Sequence, residues 1–226
     1  MTDHSTGKKL ALITGASRGL GAGLAEGLAA RGYHIMAVAR TVGGLEDLDD
    51  RIQAQGGQAT LAPLDLKDPA QAQHLGQSVA DRWGGIDLWC HTAIHGTPLS
   101  PAGHIAQKDM EAAIAVNLTT TAMLIPMLEP LLRARNGQAV FFDDCHAGEK
   151  FFGTYGATKA AQMALVRSWA AENDSIGPKV TILAPKPMPT GLRARFFPGE
   201  DRAPLARPRD EAARLLDLLL PETATA

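Results

Sequence analysis

Tyr155 and Lys159 are the side chains whose types and spacing most directly indicate chemistry in this sequence. Residues four positions apart on a helix lie on the same face, so a helix here would make the phenol and the ammonium neighbours. A phenol with an ordinary pKa near ~10 is a poor proton shuttle at neutral pH. A nearby ammonium lowers that pKa toward the working range. The pattern therefore predicts an acid/base pair, although an ordinary helix with a solvated lysine also contains it.

A glycine-rich segment near the N-terminus indicates what this pair would act with. The sequence TGASRGLG follows the apolar run 10–13 and precedes a helix-like stretch. Glycines let the backbone approach a pyrophosphate, and a helix N-terminus offers free N–H groups and the positive end of a dipole. The segment predicts a dinucleotide-phosphate site. Its expected contacts are Gly15, Ser17, Arg18, Gly19, Leu20 and Gly21.

Alternating strand and helix patterns must hold these two motifs in place. Candidate strands are 10–13, 34–39, 59–62, 86–91, 139–142 and 180–183. Candidate helices are 19–31, 45–55, 69–82, 108–134, 153–173 and 209–220. The strands are apolar throughout rather than alternating, as expected when helices cover both faces of a sheet. The pattern predicts a doubly wound parallel sheet, three-layered α/β/α, in one domain over 1–226. Pro126 and Pro130 are expected to kink or shorten the fourth helix.

Composition excludes several classes of function. The chain has 226 residues, 45% hydrophobic content and a net charge of −2, which gives no electrostatic reason to bind nucleic acid or membranes. No apolar run approaches the ~18–20 residues of a membrane span, and residues 1–9 lack the apolar core of a signal peptide. Cys90 and Cys145 are too few for a disulfide framework. We expect a cytoplasmic protein with reduced thiols.

The sequence resembles the short-chain dehydrogenase/reductase family over nearly its whole length. The glycine motif TGxxxGxG is matched by Thr14, Gly15, Gly19 and Gly21. Tyr155 and Lys159 match YxxxK, and Asn117 falls where the family keeps a catalytic asparagine. The resemblance implies a Rossmann-type oxidoreductase that transfers hydride between a nicotinamide and a small carbonyl or alcohol. Tyr155 would be the acid/base, Lys159 would tune it and hold the ribose, and Asn117 would hold a relay water.

The resemblance also implies the cofactor contacts. Beyond the glycine turn these are Asp65, Leu66, Thr92, Ala93, Tyr155, Lys159, Pro185 and Thr190. Asp65 would contact the adenine and Thr190 the carboxamide. Arg40 ends the second strand, where NAD-preferring relatives carry a carboxylate for the ribose hydroxyl. Arginine binds phosphate bidentately, so Arg18 and Arg40 favour NADP(H) over NAD(H), unless both are merely solvated surface charges.

One departure from the family pattern bears on activity, because the catalytic serine is missing. Counting from the flanking glycines puts Cys145 at its position, but the segment before Tyr155 is short, so Asp143 or Asp144 is an alternative occupant. A thiol is a weak hydrogen-bond donor and an ionised carboxylate donates nothing. Losing such a donor reduces the rate by ~10²–10³. Two further departures are His91 in the motif after the fourth strand and Lys186 after Pro185.

These departures leave two functions open. The first is the oxidoreductase, with residues 186–207 as its substrate loop. The second is a catalytically impaired NADP(H)-binding protein that acts as a sensor or assembly partner. The family resemblance further implies a homodimer or homotetramer through helices 108–134 and 153–173, with Val166, Trp169 and Ala170 supplying apolar surface unless they pack in the core.

A metal site is the weakest alternative. Cysteine and histidine are zinc ligands, but their spacing here matches no standard zinc motif, so we expect no metal. The residues concerned are Cys90, His91, His95, Cys145 and His146.

Overall fold

A single parallel sheet organises the chain. The computed structural model describes residues 7–144 and 146–221, and its six strands have the order β3-β2-β1-β4-β5-β6. The strands are β1 Leu10–Thr14, β2 His34–Ala39, β3 Gln58–Pro63, β4 Leu88–His91, β5 Gln138–Phe142 and β6 Lys179–Leu183. All six predicted strands are present, and β4 begins two residues later than predicted. The doubly wound parallel sheet is therefore confirmed.

Helices cover both faces of this sheet. They are α1 Gly19–Ala30, α2 Val42–Gln53, α3 Pro69–Trp83, α4 Gln107–Ala113, α5 Thr120–Arg133, α6 Gly153–Glu172, α7 Gly191–Phe196 and α8 Pro208–Leu219. One core cluster joins the sheet to α1, α2 and α8, and the other joins it to α3, α5 and α6. Along β1, Ala11 and Ile13 enter the first cluster whereas Leu10 and Leu12 enter the second. Burial on both faces explains why the strands are apolar throughout.

The strand order determines where a ligand site is expected in this sheet. Strand β1 pairs with β2 on one side and with β4 on the other, aligning Thr14 with Val38 and with His91. The winding direction therefore reverses beside β1. In open parallel sheets, ligands bind at the carboxyl ends of the strands where this reversal occurs. The glycine turn and the loops after β4, β5 and β6 all lie at that edge.

The fourth predicted helix differs from its prediction in two ways. It does not end at Pro126 or Pro130, since α5 runs through both prolines to Arg133. Both prolines lie on the exposed face, where water can hydrogen-bond the carbonyl groups that proline leaves without a donor. Upstream, the helix widens into a π-helical turn, Ile114–Thr119, which separates α4 from α5.

The same helical stretch passes one test for a membrane span. Within the described residues, Gln107–Arg133 is the one stretch long and apolar enough to cross a membrane, with a mean hydropathy of 1.4. Leu124, Leu128 and Leu132 of this stretch are fully buried in the core cluster against the sheet. A helix that packs in a core has the same composition, so the result does not indicate a membrane protein.

Two residues predicted to supply surface on α6 lie instead in the core. Val166 is 0% exposed and Trp169 is 3% exposed, and both belong to the cluster between the sheet and α6. Core packing therefore accounts for their apolar character. Assembly into dimers or tetramers stays a prediction that these two side chains do not support.

Helix α8 anchors the loop that follows β6. Glu211 is 2% exposed. It accepts hydrogen bonds from Arg214, at 2.6 and 2.9 Å, and from the backbone N–H of Lys186 at 2.8 Å. The Arg214 bonds, opposed by burial and aided by the Lys186 N–H, hold the pKa of Glu211 below its ordinary value. The carboxylate thus fixes the chain immediately after Pro185.

The substitution Glu211→Gln tests this anchor. We expect it to lower the free energy of unfolding at pH 7 by about 1–3 kcal/mol, because bonds to a charged acceptor are replaced by weaker ones. A lowered pKa stabilises the fold above the ordinary value near ~4.3 and loses that effect as pH falls through the folded-state value. The difference from wild type should therefore shrink between pH 5 and pH 3 in urea unfolding.

Asp210→Asn is the matched control, since Asp210 is exposed and pairs only with Arg207 among the described residues. It should change stability by less than about 0.5 kcal/mol. An equal deficit for Glu211→Gln at pH 7 and pH 3 would contradict the role of the charge.

Candidate functional site

The glycine turn between β1 and α1 is packed directly against the loop after β4. Gly15 has a φ of +91°, and a Cβ there would lie 2.6 Å from the backbone nitrogen of Ala93. Thr92 donates from Oγ1 to the carbonyl of Thr14 at 2.9 Å. Only glycine therefore suits position 15. The structure brings the predicted cofactor residues of both loops into contact.

Helix α1 begins without a side-chain cap. Arg18 is its N-cap residue, and its side chain makes no capping hydrogen bond to the described residues. The first backbone N–H groups of a helix have no partner within the helix, so an uncapped start can bind an anion such as a phosphate. Ser17 lies beside α2, since a Cβ on Gly44 would come within 3.0 Å of the Ser17 Cβ.

The remaining predicted cofactor residues are distributed around this edge. Arg18 and Arg40 are both exposed. Asp65 accepts a hydrogen bond from the N–H of Lys67 and forms an ion pair with its ammonium at 3.4 Å. Leu66 is 8% exposed and packs in the core, so only its backbone can face a ligand.

The segment after β6 contains a short helix where the sequence predicted an uninterrupted loop. Thr190 caps helix α7 by accepting a hydrogen bond from the N–H of Arg193 at 3.2 Å. Its methyl group lies beside the glycine turn, 3.3 Å from where a Cβ on Gly19 would be. Thr190 is therefore next to the predicted cofactor site. Lys186 is exposed and held through its backbone N–H.

Tyr155 and Lys159 are both buried on the first half of α6, with 2% and 7% of their surfaces exposed. The Tyr155 hydroxyl donates to Oδ2 of Asp144 at 2.8 Å. Burial and then the charges of Asp144 and Asp143 raise the pKa of Tyr155 above its ordinary value. The sequence predicted the opposite direction. The reason is that the phenol is buried and that the two aspartates after β5 place negative charge near it, and both effects favour its protonated form.

Lys159 has the reverse perturbation. Burial lowers the pKa of its ammonium to about 8, although Asp143 and Asp144 act to raise it. The ammonium donates to Oε1 of Gln162 at 2.7 Å, one turn further along α6. Lys159 is thus a buried ammonium group whose pKa lies close to neutral pH.

Asp144 is the residue that faces Tyr155 at the end of β5. Asp143 points elsewhere, since its carboxylate accepts the N–H of Asp144 at 2.8 Å and pairs with Arg167 at 2.7 Å. His146 lies beside Asp144, with Nε2 3.3 Å from Oδ1. Of the two aspartates considered for the position of the missing serine, the geometry therefore favours Asp144 over Asp143. The Cys145 alternative lies outside the described residues.

Asn117 lies in the π-helical turn and is fully buried. Its Oδ1 accepts the backbone N–H of His95 at 2.7 Å, and its Nδ2 donates to the His95 carbonyl and to Oγ1 of Thr158, both at 3.0 Å. Both hydrogens of the side-chain amide are therefore already donated to protein acceptors. Asn117 therefore fixes the loop after β4 to α6, and a relay water can reach only its amide oxygen.

A chain of buried hydrogen bonds begins at Lys159. Gln162 accepts from the ammonium and donates from Nε2 to Oγ1 of Thr121 at 2.9 Å. Thr121 in turn donates to the carbonyl of Asn117 at 3.0 Å. The amide of Gln162 is therefore oriented, because its NH₂ group is bound to Thr121 and its oxygen can only face the lysine.

The same chain continues to the glycine turn through His91. Its Nε2 lies 3.2 Å from Oγ1 of Thr121, and its Nδ1 lies 2.8 Å from Oγ1 of Thr14. Trp89 donates to the same Thr14 oxygen at 3.2 Å. Burial, with a smaller effect of Lys159, lowers the pKa of His91 to about 3, so its ring is neutral. The sequence marks His91 as a departure from the family pattern and as a candidate metal ligand, but not as part of this chain, and no local pattern identifies Thr121 or Gln162.

Aromatic side chains close one side of the Tyr155 phenol. The Phe196 ring of α7 lies 4.8 Å from the Tyr155 ring, and His146 stacks on Phe152 at 4.2 Å. Phe197 adds a further ring 6.0 Å from Phe152. These four residues, His146, Phe152, Phe196 and Phe197, form the aromatic wall. The wall joins the loop after β5 to the loop after β6.

The described residues do not form the metal site that the sequence raised as an alternative. Across residues 7–144 and 146–221, no three side chains of suitable type lie close enough to hold a metal ion. Cys90 is fully buried, and burial raises the pKa of its thiol to about 12. It therefore behaves as a packed apolar residue.

Comparisons with known proteins agree with this arrangement. The profile of the short chain dehydrogenase family matches residues 9–201. The fatty acyl-CoA reductase of Acinetobacter baylyi is 34% identical over 170 residues, which cover 73% of this chain and 57% of that enzyme. A short chain dehydrogenase structure from Pseudomonas syringae aligns over 100% of this chain and 94% of its own, with a TM-score of 0.89 and 28% identity. A metagenomic short-chain oxidoreductase in complex with NADP aligns over 93% of this chain and 90% of its own, with a TM-score of 0.79 and 26% identity.

Gln162 offers a direct test of how Lys159 is held. An acceptor within hydrogen-bond distance favours the charged ammonium, so Gln162→Leu should lower the pKa of Lys159 from its value of about 8. Gln162→Glu supplies a negative charge and should raise it. We expect shifts of about one unit in each direction, since bonds to charged groups are worth about 1.5–3 kcal/mol.

The measurement is NMR titration of isotope-labelled lysine, with the Lys159 resonance assigned from Lys159→Met. Gln53→Leu, an exposed position on α2, is the matched control and should leave the titration unchanged. Shifts of the same sign in both Gln162 variants would show a general structural effect and contradict the assigned role.

Proposed function

Because the chain belongs to the short-chain dehydrogenase/reductase family, we propose that it is an NADP(H)-dependent oxidoreductase. It transfers hydride between the nicotinamide and a small carbonyl compound or its alcohol. The observation that carries the proposal is the pair formed by Tyr155 and Lys159, both buried on one face of α6. Tyr155 acts as acid/base, and Lys159 holds the nicotinamide ribose beside it.

The residues at the sheet edge fit a dinucleotide. Gly15 leaves space that a Cβ would fill, and the uncapped start of α1 offers N–H groups to the pyrophosphate. In this proposal Asp65 contacts the adenine, and the segment from Pro185 to Thr190 contacts the carboxamide. When bound, the cofactor supplies or accepts the hydride. The chain's own residues bind it, orient it and manage the proton.

Two exposed arginines support NADP(H) over NAD(H). Arg18 and Arg40 flank the glycine turn and the end of β2, and neither forms an ion pair with the described residues. A guanidinium binds a phosphate bidentately, so either side chain can hold the 2′-phosphate that distinguishes NADP(H). A relative of the same fold was solved with NADP bound.

The proton chemistry depends on how Tyr155 is perturbed. Its raised pKa keeps the phenol protonated, so it serves as a proton donor in the reductive direction. The ammonium of Lys159, one turn along the same helix, would stabilise the phenolate that proton transfer leaves. Asn117 holds the loop after β4 against α6, and so fixes the position of that loop relative to Tyr155 and Lys159.

Residues 186–207 form the proposed substrate loop of a single domain that spans 1–226. The loop contributes Phe196 and Phe197 to the aromatic wall beside Tyr155. Arg193 of this loop is held by two hydrogen bonds to Glu200, at 2.5 and 2.6 Å. The loop is therefore internally braced, and its apolar side faces the phenol.

The second candidate is a catalytically impaired NADP(H)-binding protein that acts as a sensor or assembly partner. The observation that favours it is Asp144, whose carboxylate faces Tyr155 where the family keeps a serine donor. An ionised carboxylate cannot donate to a carbonyl oxygen, so carbonyl turnover would be slow by ~10²–10³. The intact Tyr155 and Lys159 favour the first candidate.

Tyr155→Phe distinguishes the two functions. In an oxidoreductase it should reduce NADPH oxidation with a panel of aldehydes, ketones and quinones by at least about a hundredfold, because the proton donor is lost. The chain has two tyrosines. Tyr33→Phe is the matched control, since Tyr33 packs in the core cluster on the α1, α2 and α8 side of the sheet. Unchanged NADPH binding without turnover in any variant would favour the binding protein.

Arg40→Ala tests the choice of cofactor. We expect the dissociation constant of NADPH to rise at least tenfold and that of NADH to stay nearly constant, because only NADPH carries the 2′-phosphate. Titration followed by nicotinamide fluorescence measures both constants. Arg209→Ala, at an exposed position on α8, is the control. Equal weakening of NADPH and NADH would show that Arg40 acts on the turn rather than on the phosphate.

A further inference from the structure

Asp144 presents an acceptor at the place where a carbonyl substrate would need a donor. Its Oδ2 receives the Tyr155 hydroxyl at 2.8 Å, and its side chain is 35% exposed at the carboxyl edge of the sheet. Within the described residues, its ion-pairing contacts are limited to His146, and no lysine or arginine lies within salt-bridge distance. The negative charge is therefore available to a ligand that enters beside Tyr155.

A carbonyl oxygen gains negative charge as hydride reaches its carbon. An ionised carboxylate opposite that oxygen has no hydrogen to donate and repels the developing alkoxide. A nitrogen that is already protonated has the reverse requirements, since it needs an acceptor for its N–H and a negative charge to balance its own. The geometry at Asp144 meets both of those needs.

We infer that the electrophile reduced in this site is a protonated carbon–nitrogen double bond, an iminium, whose N–H donates to the Asp144 carboxylate. The inference rests on the proposed hydride transfer, and it changes both the group that receives the hydride and the role of Tyr155. Asp144 is then the residue that determines substrate class. Tyr155 orients the carboxylate by donating to its Oδ2.

The reaction balances without a proton donor. The iminium carbon receives one hydride, with its electron pair, from the reduced nicotinamide and forms a C–H bond. The π pair of the C=N bond moves onto nitrogen and cancels its positive charge. The products are a neutral secondary amine and the oxidised nicotinamide. No alkoxide forms, so the missing serine hydroxyl leaves no step unsupported.

The aromatic wall suits the same kind of ligand. Faces of aromatic rings attract cations, and planar cations stack on them. The Arg193 guanidinium already lies 4.7 Å from the Phe197 ring centre, so the wall does accommodate a planar cation. Glu200 neutralises that arginine through two hydrogen bonds, so Arg193 adds little repulsion against a cationic substrate.

The test compares paired substrates of the same ring system. One pair is 3,4-dihydroisoquinoline and 1-tetralone, and a smaller pair is 2-methyl-1-pyrroline and cyclopentanone. NADPH consumption and chromatographic detection of the amine or alcohol give kcat/KM for each. Wild-type protein should prefer the imine in each pair by at least tenfold.

Variants at Asp144 separate charge from shape. Asp144→Asn keeps the acceptor for Tyr155 but removes the charge, and it should lose at least tenfold in kcat/KM on the imines. Asp144→Ser supplies a hydroxyl donor, so it should lose imine activity and gain at least tenfold on the ketones. Asp47→Asn, at an exposed position on α2, is the control and should behave as wild type. Thermal unfolding and NADPH binding establish that each variant is folded.

Four results would overturn the inference. A wild-type preference for ketones, or an Asp144→Asn variant with undiminished imine activity, would reject it and leave the oxidoreductase in place. Ketone reduction by wild type and Asp144→Ser, with no imine reduction by either, would have the same meaning. Absence of turnover on every substrate by wild type and by Asp144→Ser, with NADPH bound, would reject both the inference and the proposed function.

Discussion

The buried ammonium of Lys159 is the constraint on which the architecture of the site depends. Removing a charge from water costs several kcal/mol unless polar groups replace its hydration. Gln162 supplies the acceptor, and its own orientation is set by Thr121, which contacts Asn117 and His91. Each partner lies on a different element. Holding one cation therefore links α6, α5 and β4, and the bond from His91 to Thr14 extends the link to the glycine turn.

Magnitudes show why Asp144 matters more than the loss of a single donor. Two unit charges about 4 Å apart interact by about 4 kcal/mol at an effective dielectric constant near 20. An oxyanion donor contributes about 3–4 kcal/mol. Replacing the donor by a carboxylate therefore removes one favourable interaction and adds an unfavourable one of similar size. For a cationic electrophile both changes reverse in sign, so the same residue favours binding.

Features set by short segments were predictable from sequence, whereas contacts set by distant segments were not. The strands and the glycine turn follow from local apolar runs and from a turn that only glycine permits. The occupant of the serine position was not decided by counting, because the path of the loop after β5 is fixed by contacts with β6 and α6, such as Asp143 with Leu183 and Arg167. The predicted direction of the Tyr155 pKa was wrong because burial and two carboxylates eleven and twelve positions upstream raise it, and neither effect is visible in the local sequence. Helix α7 was not predicted because its six residues are too few to show a periodic pattern. The one sequence signal for it is Thr190, a residue type that commonly caps a helix N-terminus.

The departures from the family pattern share one electrostatic logic. The hydrogen-bonded chain that holds Lys159 is neutral. Gln162 and Thr121 carry no charge, and burial keeps His91 unprotonated. Among the residues that the structure describes, Asp143 and Asp144 supply the negative charge that balances Lys159, and they raise its pKa against the effect of burial. Lys159 is a buried positive group, Tyr155 is a buried neutral phenol, and Asp144 is a half-buried negative group that accepts a hydrogen bond from that phenol. We expect such an arrangement to attract a cationic ligand beside Asp144, and this attraction is the electrostatic basis of the inference that the substrate is an iminium.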